Sequence, residues 1–273
     1  MKKFDGILIC TDLDGTLLAN DKTVSRENRE AIAYFKENGG RFTFITGRMP
    51  FFVDDVYNAV RPNAPIGCIN GGGLYDYEAH RYIMATELPR EALELVEYAT
   101  DRVSSIGFQI NTLERIYFCR ENATMAHFRE CTRVPNLTAG LWDVHEPIAK
   151  VVFGAPDPRD IQKIAKVIAD HPLSNRYSFV CSEATLCEIL PLGVNKASVL
   201  PHLASHLGIS QSRIIALGDY DNDVAMLQKA SLGIAVANAT DSAKAAADRV
   251  TVSNEEHAVA HIIEELDAGR LKI

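Results

Sequence analysis

Hydrophobic residues come in short unbroken runs toward both ends of the chain and in a different rhythm in its middle. Gly6-Ile7-Leu8-Ile9-Cys10 is a continuous apolar run, as a strand buried on both faces requires. Residues 25–38 place Ile32 and Phe35 on one helical face, with Ser25 as N-cap and Gly39-Gly40 as the stop. Phe42-Thr43-Phe44-Ile45-Thr46 predicts a second strand and Ile66-Gly67-Cys68-Ile69 a third. Strands alternating with helices predict parallel pairing. The rhythm returns late, with strands at 214–217, 233–236 and 249–252 and helices at 222–230 and 255–267.

The middle reads differently. A helix at 90–103 precedes adjacent strands at 106–110 and 115–119, then a helix at 121–132. Val151-Val152-Phe153, a helix at 160–170 and strands near 177–181 and 186–190 follow. Strands that neighbour one another without helices between them predict an antiparallel α+β module. The fold class is therefore α/β: a Rossmann-like parallel-sheet core made of 1–84 and 189–273, with an α+β domain, 85–188, inserted into it.

Charge narrows the partners. The net charge of −8 argues against a nucleic-acid-binding face and against attraction to an anionic membrane. A small phosphorylated metabolite stays open, because one metal ion and one lysine set a local field. No stretch approaches the roughly 20 apolar residues of a membrane span, and Asp5 interrupts a signal-like start. Six cysteines without a Cys-x-x-Cys pair suggest neither a zinc site nor a redox pair, and predict a reducing, cytoplasmic setting.

The densest chemistry is Asp12-Leu13-Asp14-Gly15-Thr16, directly after the first strand. Residues two apart in a strand share a side, so both acids aim at one spot. Close anions repel unless a cation lies between them or one holds a proton. A carboxylate attacks phosphorus, and a second acid handles protons. Thr46-Gly47-Arg48 ends the second strand, with a hydroxyl and backbone N–H groups suited to phosphate oxygens. Lys196 opens a helix with a full positive charge near helix-start N–H groups, although Pro201 falls about five residues into that helix, where it predicts a kink or a later start. Gly218-Asp219-Tyr220-Asp221-Asn222-Asp223 packs acids at a density that suits a hard cation. Parallel strands would bring all four pieces to one end of the sheet.

These four pieces resemble, in order and spacing, the four motifs of the haloacid dehalogenase superfamily of phosphotransferases. The insertion between the second and third resembles the C2B, or Cof-type, cap. The resemblance implies a Mg2+-dependent phosphatase acting on a small phosphate monoester, a sugar phosphate first. A phosphorylated cofactor such as pyridoxal phosphate or FMN is the alternative, as is a phosphomutase of the same fold. It implies Asp12 as nucleophile, Asp14 as proton donor and acceptor, Thr46 as phosphate holder and Lys196 as charge neutraliser. The metal would be held by Asp12, the Asp14 carbonyl and Asp219, with Asn222 and Asp223 in support; Mn2+ remains open as the ion.

Other residues read less sharply. Asn70-Gly71-Gly72-Gly73 is a turn by composition, and the resemblance places Asn70 near substrate. Arg48 suits a substrate contact or a surface ion pair equally. His202/His206 and His257/His261 have helical zinc spacing without a third ligand, and read as exposed helix residues. Trp142 reads as a packing residue first, with stacking on a substrate ring in the cap as the alternative.

Overall fold

A computed structural model describes residues 2–132 and 134–273. The strands are β1 (Leu8–Thr11), β2 (Arg41–Phe44), β3 (Ile66–Cys68), β4 (Gly73–Asp76), β5 (Arg81–Ala85), β6 (Gly107–Thr112), β7 (Ile116–Arg120) and β8 (Leu137–Thr138). They continue with β9 (Ile148–Gly154), β10 (Tyr177–Glu183), β11 (Leu186–Pro191), β12 (Ile214–Gly218), β13 (Leu232–Ala235) and β14 (Arg249–Val250). The helices are α1 (Arg26–Glu37), α2 (Asp54–Val60), α3 (Ala92–Arg102), α4 (Ala123–Thr132), α5 (Pro158–Ala169), α6 (Leu200–Leu207), α7 (Val224–Lys229), α8 (Asp241–Ala246) and α9 (Ala258–Asp267).

The chain divides into two units, Met1–Met84 with Asn195–Ile273, and Ala85–Val194. In the first, a five-stranded sheet runs in the order β14-β13-β12-β1-β2 with every pair parallel. Leu8, Ile9 and Cys10 are fully buried in it, as a strand covered on both faces demands. Ser25 caps α1 by accepting from the Asn28 N–H, and Ile32 and Phe35 are its buried face.

The third strand departs from expectation. β3 pairs antiparallel with β4 in a separate three-stranded sheet, β3-β4-β5, and meets the end of β2 through an isolated parallel bridge between Ile45 and Gly67, with Ile66 packed in the core. The reason is local: the turn at Ile69–Gly71 sends the chain straight back along itself.

The inserted unit is a six-stranded sheet in the order β10-β11-β9-β6-β7-β8, antiparallel except for the short β7–β8 pair. Phe108, Ile110, Val151, Phe153, Cys187 and Ile189 form its core with Leu93 and Val96 of α3 and Ile161, Ile164 and Ile168 of α5. The second crossing between units falls at Val194/Asn195, not at 188/189, because β11 is fully paired inside the inserted sheet through Pro191. Among the described residues no helix is long and apolar enough to cross a membrane.

Candidate active site

Because β1, β2 and β12 are parallel, their C-terminal ends lie at one edge of the sheet, the place where ligands bind in open α/β folds. Asp12 follows β1 directly, and its N–H donates to the Leu217 carbonyl at 2.9 Å, holding it in register with β12. Asp219 follows β12 and Thr46 lies two residues past β2.

Lys196 begins a 3-10 turn, Lys196–Val199, capped by the Asn195 side chain, which accepts from the Ala197 N–H. The helix α6 starts only at Leu200, so Pro201 sits in its first turn, where a missing N–H costs nothing. The kink expected at Pro201 is therefore absent, and the later start is what the structure shows. Lys196 is 1% exposed, with Nζ 2.6 Å from Asp12 Oδ1 and 2.7 Å from Asp223 Oδ1. An unpaired buried ammonium would cost several kcal/mol. Burial alone would lower its pKa; Asp12 and Asp223 outweigh burial and raise it, so Lys196 stays charged.

The other oxygen of Asp223 accepts from the N–H groups of Asp219 at 2.9 Å and Tyr220 at 3.1 Å. That double bond curls 219–223 into a turn and presents Asp219, whose Oδ1 accepts from the Thr16 hydroxyl at 2.7 Å. The close approach needs Gly15. Its φ is +81°, and a Cβ there would lie 2.4 Å from Asp219 Oδ2. The helix expected over 222–230 is correspondingly shorter, a 3-10 turn at Asp221–Asp223 leading into α7.

Asp12, Asp219 and Asp223 each offer an oxygen, all within 4.8 Å of one another. Burial pushes the Asp219 carboxyl up to about 6, with Asp223 adding to it. Burial also lifts Asp12 well above the carboxylate range, opposed by Lys196 and reinforced by Asp223 and Asp219. Three acids thus share one ammonium, and the cluster is short of positive charge.

Asp14 faces elsewhere. Arg48 grips its carboxylate with two bonds, Nε to Oδ2 at 2.9 Å and a terminal nitrogen to Oδ1 at 2.8 Å, and Lys22 Nζ adds a third at 2.9 Å. Burial would raise the Asp14 pKa, but Arg48 and then Lys22 outweigh it and lower the value. The Asp14 side chain is outside the three-acid cluster, and Arg48 takes the ion-pair alternative in this arrangement.

A further group gathers beside β2. The Thr46 hydroxyl is buried and accepts from the Arg48 N–H at 3.2 Å. Gly47 lies against the Asn70 amide, which accepts from Asn222 Nδ2 at 3.0 Å. Asn222 Oδ1 has no partner among the described residues. Gly71, φ +89°, lets this turn meet the Lys196 turn, since a Cβ would fall 1.9 Å from the Asn195 carbonyl oxygen. Sequence reasoning missed Thr16, Lys22, Asn195 and Asn238, whose Nδ2 donates to the Gly15 carbonyl at 2.8 Å. Thr16 stood within the first motif and was the one of these with a signal. His202 and His206 are exposed as expected, but His257 and His261 are half-buried, facing Glu27 and Glu265, and His257 precedes α9 in a left-handed conformation. Trp142 is 40% exposed, its indole donating to Glu97 instead of packing in the core.

A parallel sheet that carries acids and one lysine at its C-terminal edge, interrupted by an α+β domain, defines the class. Residues 9–263 match the haloacid dehalogenase-like hydrolase family, and the chain belongs to that family of enzymes. It is 29% identical over 264 residues to the 5-amino-6-(5-phospho-D-ribitylamino)uracil phosphatase YitU of Bacillus subtilis, covering 94% of this chain and 96% of that protein. It is also 29% identical over 268 residues to the pyridoxal phosphate phosphatase YbhA of Escherichia coli, covering 94% and 97%. Among solved structures, a haloacid dehalogenase-like hydrolase from Bacteroides thetaiotaomicron aligns with a TM-score of 0.82 at 26% identity, over 95% of this chain and 99% of that one.

Proposed function

We propose that this enzyme is a Mg2+-dependent phosphatase that hydrolyses a small phosphate monoester through an aspartyl-phosphate on Asp12. The observation that carries the reading is the buried Asp12–Lys196–Asp223 arrangement with Asp219 beside it. In it, one Asp12 oxygen attacks phosphorus and the ester oxygen leaves with a proton from Asp14. Asp14 then takes a proton from water, which attacks the same phosphorus and frees Asp12 and inorganic phosphate. Lys196 offsets charge on Asp12, and the Thr46 hydroxyl with the Gly47 N–H holds phosphoryl oxygens. Asn70 and Asn222 line the same patch, and the Asn222 amide oxygen is left to accept a hydrogen bond from a substrate donor. Phosphoryl transfer asks mainly for this positioning and charge neutralisation.

The residues fit a divalent cation, because three acids held against one ammonium leave a local excess of negative charge. Asp12, Asp219 and the Asp14 carbonyl would hold it, with Asp223 in support, and Mg2+ there supplies the positive charge that draws an anionic ester to an anionic nucleophile. Arg48 and Lys22 keep Asp14 ionised at rest, the form that accepts a proton from water; the donor step requires one of those contacts to be released.

The substrate class is a phosphate ester of a small polar alcohol. A sugar phosphate remains the first choice, and the names of the relatives add a ribityl phosphate and pyridoxal phosphate. The test is phosphate release from such a panel with and without Mg2+, using Asp12→Asn as control. Metal-dependent release that falls by about 10³-fold or more in the variant is the expected result, as for loss of a nucleophile. Undiminished release by Asp12→Asn, or isomer formation without free phosphate, would overturn it.

A further inference from the structure

Two thiols that look unrelated in the sequence meet across a hairpin. Cys181 on β10 and Cys187 on β11 are direct partners in the antiparallel register, so their side chains leave the sheet on the same face. Both join the core between this sheet and its helices: Cys187 is fully buried, and Cys181 packs against the same cluster while partly exposed. The strand that carries Cys181 is the edge of the sheet, paired only with β11. Neither thiol is in a disulfide.

Backbone geometry suits a bond between them. Directly opposed Cα atoms in an antiparallel pair lie about 4.5–5.5 Å apart, and disulfides span Cα separations of about 4.4–6.8 Å. The corresponding Cβ atoms must close slightly. Slack is at hand, because the register shifts between Cys181 and Glu183, at the residues next to the turn. The thiols also sense one another: burial raises the Cys187 pKa well above its usual value, and the Cys181 thiol adds to the rise.

We propose that Cys181 and Cys187 form a reversible cross-strand disulfide, a modification site that locks the β10–β11 hairpin. The oxidant is a small-molecule disulfide of the glutathione class. The Cys181 thiolate, the more accessible of the two, attacks one sulfur of the oxidant and releases the first small thiol, leaving a mixed disulfide on Cys181. Cys187 then attacks the Cys181 sulfur, loses its proton and displaces the second small thiol. Two protein thiols are oxidised and one small disulfide is reduced to two thiols, so atoms and electrons balance. Sequence spacing conceals the pair, since Cys-x5-Cys has no motif meaning until a hairpin folds it.

The test treats the full chain, in a Cys131→Ser background, with oxidised glutathione. That background matters because Cys131 is exposed, with its sulfur 3.4 Å from His127 Nε2, and would react on its own. Intact mass and peptide mapping are then read. The expected product has lost two hydrogens, carries a Cys181–Cys187 link, and returns to the free thiols with dithiothreitol. Cys187→Ala is expected to stop at the mixed disulfide on Cys181, and Cys181→Ser to form neither. Slower hydrogen exchange of the β10 amides in the oxidised wild-type pair supplies a readout that needs no variant. A mixed disulfide that persists on Cys181 when Cys187 is present, a link that maps to another pair, or no oxidation at either position overturns the proposal.

Discussion

At the scale of single residues, the cluster stores an electrostatic debt that a cation relieves. The folded state raises Asp219 to about 6, above its ordinary value near 3.8. Between those values the folded protein binds more protons than the unfolded chain, so this group's contribution to stability falls as pH rises through about 6. Thermal unfolding in chelator should therefore show Asp219→Asn gaining stability over wild type at pH 7.5 and gaining little at pH 5. Added Mg2+ should erase the gain at pH 7.5. Arg48 lends itself to a different reading. Removing its two bonds lets the Asp14 pKa rise, so the acidic limb of the pH–kcat profile should move to higher pH in Arg48→Ala. The rate should fall by about 10²-fold as proton transfer loses its orientation. The acids and Lys196 were legible in the sequence because their chemistry is local to short motifs. The grip of Arg48 and Lys22 on Asp14 was not, because a loop lysine such as Lys22 carries no periodic or motif signal.

At the scale of elements, tight turns set the chemistry more than long helices do. Gly15, Gly71 and the 3-10 turn at Lys196–Val199 bring distant loops into contact. Gly15→Ala forces a side chain into a left-handed backbone position and against the Asp219 carboxylate. It should cost about 1–3 kcal/mol of stability and weaken Mg2+ binding, both read from unfolding with and without the ion. The core strands β1, β2 and β12 were legible because buried parallel strands are written as apolar runs. The strands β4 and β5 were not: Tyr75, Asp76, Arg81 and Tyr82 are half-exposed or exposed and interrupt any clean alternation. Pro201 shows the same limit from the other side, since its harmlessness depends on where α6 begins, and that is decided by the Asn195 cap.

At the scale of the whole molecule, two units each have their own hydrophobic core. The inserted unit completes its six-stranded sheet and buries Phe108, Phe153 and Ile164 without help from core strands. Expressed alone, residues 85–194 should unfold in one cooperative thermal transition by circular dichroism; a featureless melt would show that its core is not self-sufficient. The change of rhythm in the middle of the sequence made the insertion legible. Its second boundary lay beyond reach, because Leu190-Pro191 reads as well for a core strand as for the end of a hairpin.

The pairing of β1 with β12 sets the order in which a growing chain can become an enzyme. Leu8 waits for Ile214, and at about 5–20 residues per second of synthesis that wait lasts roughly 10–40 seconds. Throughout it, one edge of β1 stays open, and the inserted sheet, whose last strand ends at Pro191, can be complete only shortly before Ile214 is made. The ribosome thus delivers a finished module before a finished catalyst, and chaperone demand should centre on the N-terminal strand that is still missing its neighbour.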